Sequence, residues 1–151
     1  MAKGETAKRL QQATVEAMKA RDKERLGVLR MLQASIKQVE VDERRELEET
    51  DVLKAIAGYA RKVKDQLAAA RESGRAELLE QAERELALVN TFLPAELTDE
   101  ELEGIVRAAI AEVGAAGPKD LGKVMKAVLP QVTGRAEGGR VSGLVKKLLQ
   151  S

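Results

Sequence analysis

The sequence contains no cysteine, no histidine and no tryptophan, and only two aromatic residues, Tyr59 and Phe92. Each absence removes a class of chemistry. Without histidine or cysteine there is no Ser-His-Asp or Cys-His nucleophilic system and no imidazole- or thiolate-ligated metal site. Without cysteine there is no disulfide framework, which fits a cytoplasmic protein. Two aromatics cannot build a stacking platform for splayed single-stranded bases, and both sit on or beside apolar stripes, where they are expected to pack in the core. No apolar run approaches the ~20 residues needed to span a bilayer, and the N-terminus MAKGETAKRL carries no signal-peptide core. No membrane partner, no metal, no cofactor and no catalytic residue is expected. Carboxylate or lysine chemistry stays open, with no residue marked for it.

What remains is a helix-forming alphabet. Leu, Ala, Glu, Lys and Arg dominate, and the apolar residues are aliphatic, a composition of helices rather than strands. At 151 residues the chain suits one domain or two small ones. Net charge is close to zero, with 26 basic against 25 acidic residues, but the charges are segregated. From Glu96 to Glu112 six acids stand against one base, Arg107; from Gly117 to Ser151 seven bases stand against Asp120 and Glu137 alone. Such segregation says more about partners than the total does.

Periodicity predicts an all-α fold. Residues 5–20 read as a first helix, with Ala7, Leu10, Ala13 or Thr14, and Ala17 on one side. Asp22 caps a second helix, in which Leu26, Leu29, Leu32, Ile36 and Val39 recur at spacings of three and four. The charge cluster DERRELEET ends it. Thr50 or Asp51 caps a third, with Val52, Ile56, Tyr59, Val63, Leu67 and Ala70 as its stripe, and Gly74 stops it. A fourth follows Arg75, with Leu78, Ala82, Leu86, Val89 and Leu93, and Pro94 closes it.

The stretch LPAELTDEEL reads as a boundary. Thr98 and Glu101 form a capping box for a fifth helix, and Asp99, Glu100 and Glu101 suit its first turn, where the helix dipole favours anions. That helix carries Leu102, Ile105, Val106, Ala109, Ile110 and Val113, and Gly114 stops it. Pro118 opens a sixth, with Leu121, Val124, Met125 and Val128, which Pro130 ends. The seventh carries Val141, Leu144, Val145, Leu148 and Leu149. The expected architecture is an N-terminal bundle of about four helices over residues 1–94 and a C-terminal three-helix domain over residues 95–151.

One motif is set aside. GPKDLGKV, Gly117 to Val124, matches the phosphate-binding G-x-x-x-x-G-K-[ST] except at its last position, where Val124 replaces the magnesium-holding hydroxyl. The motif also needs a preceding strand, and the preceding segment reads as helix. The segment KAVLPQVTGRAEGGRVSGLVKKL is more suggestive. Gly134, Gly138 and Gly139 permit backbone conformations other residues avoid. Arg135 and Arg140 flank the turn, and the N-terminal end of the seventh helix lies beside them. If the sixth and seventh helices pack antiparallel, Lys119 and Lys123 flank the same loop. A phosphate backbone suits this arrangement. Recognition would then rest on the shape and phosphates of a folded nucleic acid.

At these residues the chain resembles a known family. KDLGKVMKAVLPQVTGRAEGGRVSGLVKKLL looks like the signature of the GatB/YqeY family, and ERLGVLRMLQASIKQVEVD, ESGRAELLEQAERELALVNTFLP and LTDEELEGIV are similar to its earlier patterns. The resemblance is to the stand-alone form and extends over nearly the whole chain. The family also includes the C-terminal tail of the B subunit of the tRNA-dependent glutamyl/aspartyl amidotransferase. In that enzyme ammonia from glutamine amidates a mischarged tRNA, and the tail reaches the tRNA's body while the catalytic parts lie elsewhere. The resemblance therefore implies an all-α protein that binds tRNA and is not catalytic alone. A family-level label of carbon–nitrogen ligase activity with glutamine as amido-N-donor attaches to it nonetheless.

Carried onto this chain, the family pattern matches Lys119, Asp120, Gly122, Lys123 and Met125, then Gly134, Arg135, Ala136 and Gly138, then Val141, Lys146 and Lys147. The chain departs from it at Glu137, where the family commonly has Asp, and at Gly139, where a basic residue is frequent and Arg140 follows here instead. With Lys126 and Arg140 added from the basic segment itself, the expected RNA-binding set is Lys119, Lys123, Lys126, Gly134, Arg135, Gly138, Arg140, Lys146 and Lys147. A second reading is a protein-binding helical adaptor that docks on an aminoacyl-tRNA synthetase or amidotransferase subunit through DERRELEET and the polar faces of the second and third helices. A third, carboxylate catalysis, would fall to Asp120 and Glu137, whose positions suit a first-turn helix acid and a loop charge better.

Overall fold

The aliphatic stripes form helices wherever they recur. The computed structural model describes residues 2–150, and these hold seven α-helices and no strand. In chain order they are α1 (Glu5–Ala20), α2 (Lys23–Glu43), α3 (Glu49–Ser73), α4 (Ala76–Asn90), α5 (Asp99–Val113), a short 3-10 turn (Pro118–Asp120), α6 (Leu121–Val132) and α7 (Gly138–Gln150). The chain divides into two compact units, Met1–Pro94 and Ala95–Ser151.

In the first unit, Leu10 and Ala17 of α1, Leu29, Leu32 and Ile36 of α2, and Val52 and Ile56 of α3 close on one core, which Val89 and Phe92 complete. The predicted stripes supply most of it. Asp22 caps α2 as expected, its carboxylate accepting from Arg25 N at 3.1 Å. Gly74 ends α3 in the left-handed region, at φ 68°. Arg21 and Arg44 end α1 and α2 in that same conformation without being glycine.

Three expectations change. Helix α3 begins at Glu49, with Glu48 and not Thr50 or Asp51 as its cap. Asp51 instead reaches back, accepting from Glu48 N at 3.0 Å while Arg45 grips both its oxygens at 2.9 and 3.1 Å. Helix α4 ends at Asn90, before Pro94, and exposed Thr91 caps it: its hydroxyl donates to Leu88 O, and Arg9 donates to Thr91 O at 2.7 Å. Leu78, on the predicted stripe, is exposed. The DERRELEET segment also carries a core residue: Leu47 is fully buried, and its carbonyl accepts from Lys3 N at 2.8 Å. Phe92 is buried with the Arg9 guanidinium 5.5 Å from its ring centre. Tyr59 is half-buried and its hydroxyl donates to Glu85.

The Arg45–Asp51 clamp makes the first unit acid-sensitive. The hydrogen bond from Arg45, reinforced by that from Glu48 N, lowers the Asp51 carboxyl to about 2. A folded-state value below the unfolded one means stability that is complete above the unfolded value and is lost as pH falls through the folded one. Between roughly pH 4 and 2 the unit is therefore expected to lose stability. Asp51→Asn should start less stable at neutral pH and show a flatter acid profile in urea melts. An unchanged slope would refute the clamp's role.

In the second unit, the Thr98–Glu101 capping box is present. Thr98 Oγ1 accepts from Glu101 N at 3.1 Å, and Glu101 Oε1 accepts from Thr98 N at 3.3 Å. Gly114 stops α5 at φ 66°. The core is rich in valine: Val106, Val124, Val128, Val132, Val141 and Val145 are buried around Leu97 and Leu102. Valine stiffens at χ1 and forms helix less readily than leucine, so these helices depend on packing against one another. Helix α6 does not stop at Pro130 but runs through it to Val132. Pro130 lies on the exposed side, so the acceptor its missing N–H leaves is the carbonyl of exposed Lys126, while Val132 is held in the core.

Candidate nucleic-acid interface

The direction of each helix in the second unit decides which basic residues meet. A short loop joins the end of α5 to the 3-10 turn, so α6 starts near the C-terminal end of α5 and packs back along it. The α6–α7 connection returns to the start of α5: Leu97 N donates to Arg135 O at 2.8 Å, and Arg140 pairs with Asp99 at 2.7 Å. Helix α7 then packs on α5 and α6 and reaches the 3-10 turn. It therefore runs antiparallel to α6.

This topology redistributes the predicted set. Lys119, in the 3-10 turn, shares an end of the unit with Lys146 and Lys147, near the close of α7. The loop, with Arg135 and Arg140, lies at the other end. Lys123 and Lys126 occupy α6 between them. The antiparallel packing thus carries Lys119 away from the loop it was expected to flank. The basic residues are strung along the α6–α7 pair, over roughly the 18 Å that twelve helical residues span.

Along α6 the placement follows from period. Val124, Val128 and Val132 are buried, and Lys123 and Lys126, three residues apart, are exposed on the opposite side. On α7, Val141 and Val145 are buried, Lys146 and Lys147 are exposed, and Arg140 lies two turns before Lys147 on the same side. The helices α6 and α7 and their connection carry six bases and one acid, whereas five of the six acids between Glu96 and Glu112 belong to α5. The unit is electrically polar although its own charges balance.

The loop is a tied connection. Only Gly134 uses a positive φ, 79°; Gly138 and Gly139 lie in the first turn of α7 with ordinary helical backbone. The turn closes by Arg135 N and Ala136 N donating to Val132 O at 2.8 and 3.1 Å. Arg135 Nε donates to Ala95 O at 3.2 Å, and Arg140 Nη2 donates to Asp99 Oδ1 at 2.7 Å. Both arginines are half-buried; Arg135 anchors the segment before α5 and Arg140 meets the helix's first residue. The first intrahelical bond of α7 is Val141 N to Glu137 O, so the amides of Gly138, Gly139 and Arg140 precede it at the positive end of the helix dipole.

Asp120, once weighed as a catalytic acid, closes the α5–α6 connection. Its Oδ2 accepts from Ala116 N at 2.9 Å. That bond, followed by the charges of Lys123 and Lys119, holds its carboxyl below the usual range. The GPKDLGKV segment is a 3-10 turn leading into helix and follows α5, not a strand, so the geometry of a phosphate-wrapping loop is missing there. Among the described residues no cluster of acids could hold a metal ion, and no helix is long and apolar enough to cross a membrane.

Local pattern could not foresee the partners of the two arginines. Asp99 lies 41 residues from Arg140, and Ala95 offers only a backbone carbonyl 40 residues from Arg135. The one signal was the charge segregation, which set an acidic helix start against a basic turn. Among curated proteins none matches the chain significantly. The profile of the YqeY-like protein family, however, matches residues 7–149, across both units. With that span, and with helices in the order the quoted segments imply, the chain belongs to the YqeY-like family.

Proposed function

We propose that the protein is a tRNA-binding accessory protein of the cytoplasm, which contacts the folded tRNA body through the α6–α7 face of its second unit. In this reading it is related to glutamine-dependent tRNA amidotransferases, lacks their catalytic domains and performs no amide transfer alone. The observation that carries the reading is the row of exposed lysines on the side of α6 and α7 away from the valine core. Lysines on rigid helices offer charge at fixed spacing to a phosphate backbone. The acids gathered on α5 orient an approaching polyanion toward the opposite, basic helices. The shortage of aromatics favours a double-helical or folded RNA over a single strand.

The test is fluorescence anisotropy of bulk tRNA across a salt series, with Lys123, Lys126 and Lys147 all changed to Ala. These three are exposed, so the fold should be unaffected. Wild type is expected to bind with a steep salt slope. The triple variant should lose roughly ten- to hundredfold in affinity at low salt and about three units of slope. No binding by wild type at low salt would remove tRNA as a direct ligand.

A second reading, the adaptor that docks on a synthetase or amidotransferase subunit, draws support from the exposed Met18 and Met31 of α1 and α2. It predicts recovery of such a protein partner after nuclease treatment, and loss of that partner on Met18→Lys with Met31→Lys.

A further inference from the structure

Arg140 and Asp99 are unequal partners. Their contact is short, 2.7 Å, yet the Asp99 side chain is 94% exposed while that of Arg140 is 30% exposed. An ion pair so open to solvent adds little to stability. Its share in holding the fold is correspondingly small, and the turn has other ties in Leu97 N to Arg135 O and Arg135 Nε to Ala95 O. What the pair does control is the guanidinium. The Nη2 group that would grip a phosphate already donates to a carboxylate. Released, that carboxylate has a resting place, because Asp99 is the first residue of α5 and the helix dipole favours an anion there.

We infer that Asp99 is an intramolecular stand-in for phosphate, which masks Arg140 and yields it only to a ligand of denser negative charge. The inference rests on the α6–α7 face being the RNA-binding surface and adds how that surface discriminates. A lone carboxylate or a single free phosphate meets the surface at one point, against an Asp99 tethered in place. A phosphate backbone is held at the same time by Lys123, Lys126 and Lys147, so its local concentration at Arg140 is high and the exchange proceeds. Asp99 therefore sets the selectivity of the surface for polyphosphate chains over isolated anions.

The control for net charge lies beside it. Glu100 occupies the next position of the same turn, is also exposed, and is not the partner of Arg140. The experiment uses the full chain as wild type, Asp99→Asn, Glu100→Gln, Arg140→Ala and the Asp99→Asn/Arg140→Ala double variant, each checked by circular dichroism. Asp99→Ser is held as a second replacement if the first perturbs α5. Two readouts are taken: the salt needed to elute each protein from immobilised heparin, and tRNA anisotropy. Asp99→Asn is expected to elute later than wild type and to bind tRNA about three- to fivefold tighter, the size of one exposed ion pair released. Glu100→Gln should gain clearly less, and the advantage of Asp99→Asn over Glu100→Gln should vanish without Arg140. Equal gains from the two acid replacements, or a gain from Asp99→Asn that persists undiminished in the double variant, would overturn the mask. Later heparin elution of Asp99→Asn with no tRNA binding by any variant would uphold the mask and refute the tRNA reading instead.

Discussion

Gly4→Ala is expected to destabilise the first unit by about 3 kcal/mol, although the change adds one methyl group near the N-terminus. Gly4 precedes α1 at φ 105° and ψ 173°, a region open to glycine and strained for any residue with a Cβ. Glycine has no side chain with which to cap the helix, and Glu49, the first residue of α3, does so from outside. The carboxylate of Glu49 accepts from Thr6 N at 3.1 Å and from the Thr6 hydroxyl. Thr6 is buried, so those donors have no water to fall back on. A Cβ at position 4 would run into Glu49 Oε2. Strain and loss of the cap therefore act together. Gly58→Ala is the matched control: Gly58 sits within α3, at negative φ, and a Cβ there meets nothing within 4 Å. It should stabilise by up to about 1 kcal/mol, through helix propensity alone. Urea melts followed by circular dichroism, with amide exchange at Thr6, read both. A loss below about 0.5 kcal/mol for Gly4→Ala would show that the Glu49 cap contributes little.

The second large effect is expected at Leu102. It is 1% exposed and is the bulkiest fully buried side chain of the second unit, whose other core positions are mostly valine. Truncation to Ala leaves a cavity that neighbouring valines, held to one rotamer in a helix, are poorly able to fill. A cost of about 3 kcal/mol follows, a large share of what a unit of this size can hold. Amide exchange in α5, α6 and α7 should accelerate about a hundredfold, the factor that such a loss corresponds to. Under the proposed function tRNA binding should weaken with it, since the lysine row keeps its spacing only while α6 and α7 stay packed. Val15→Ala, on an exposed position of α1, should change neither quantity. Unaltered exchange in α5 after Leu102→Ala would refute the assignment of Leu102 as the centre of that core.

The all-α fold was legible because the signals that specify it are local. Stripes at spacings of three and four located each helix, and Asp22, Gly74, Thr98 with Glu101, and Gly114 act where pattern places them. What escaped was set by contacts between distant segments. Pro130 normally stops a helix, but burial of Val132 carries α6 past it. Leu47 and Leu97 stand in polar connectors with no periodic neighbours, yet both are core. Glu49 read as one acid in a charge cluster and is the cap of another helix. At the candidate interface, composition located the basic quarter of the chain and the lysines that lie off the apolar stripe. It could not show that Arg135 and Arg140 are engaged by Ala95 and Asp99, because nothing local links positions about forty apart.

The hydrogen bond between Tyr59 and Glu85 has a practical consequence for watching this molecule. Tyr59 is its one tyrosine, and there is no tryptophan. Burial, then the carboxylate acceptor, push its ionisation well above that of a free phenol. Tyrosine emission of the protein thus comes from a single ring on α3, and a carboxylate hydrogen-bonded to a phenol quenches that emission. Separation of α3 from α4 should brighten the protein, while the second unit, with no emitter of its own, stays dark. Intrinsic light then follows one unit, and under the proposed function a dye on the tRNA follows the other.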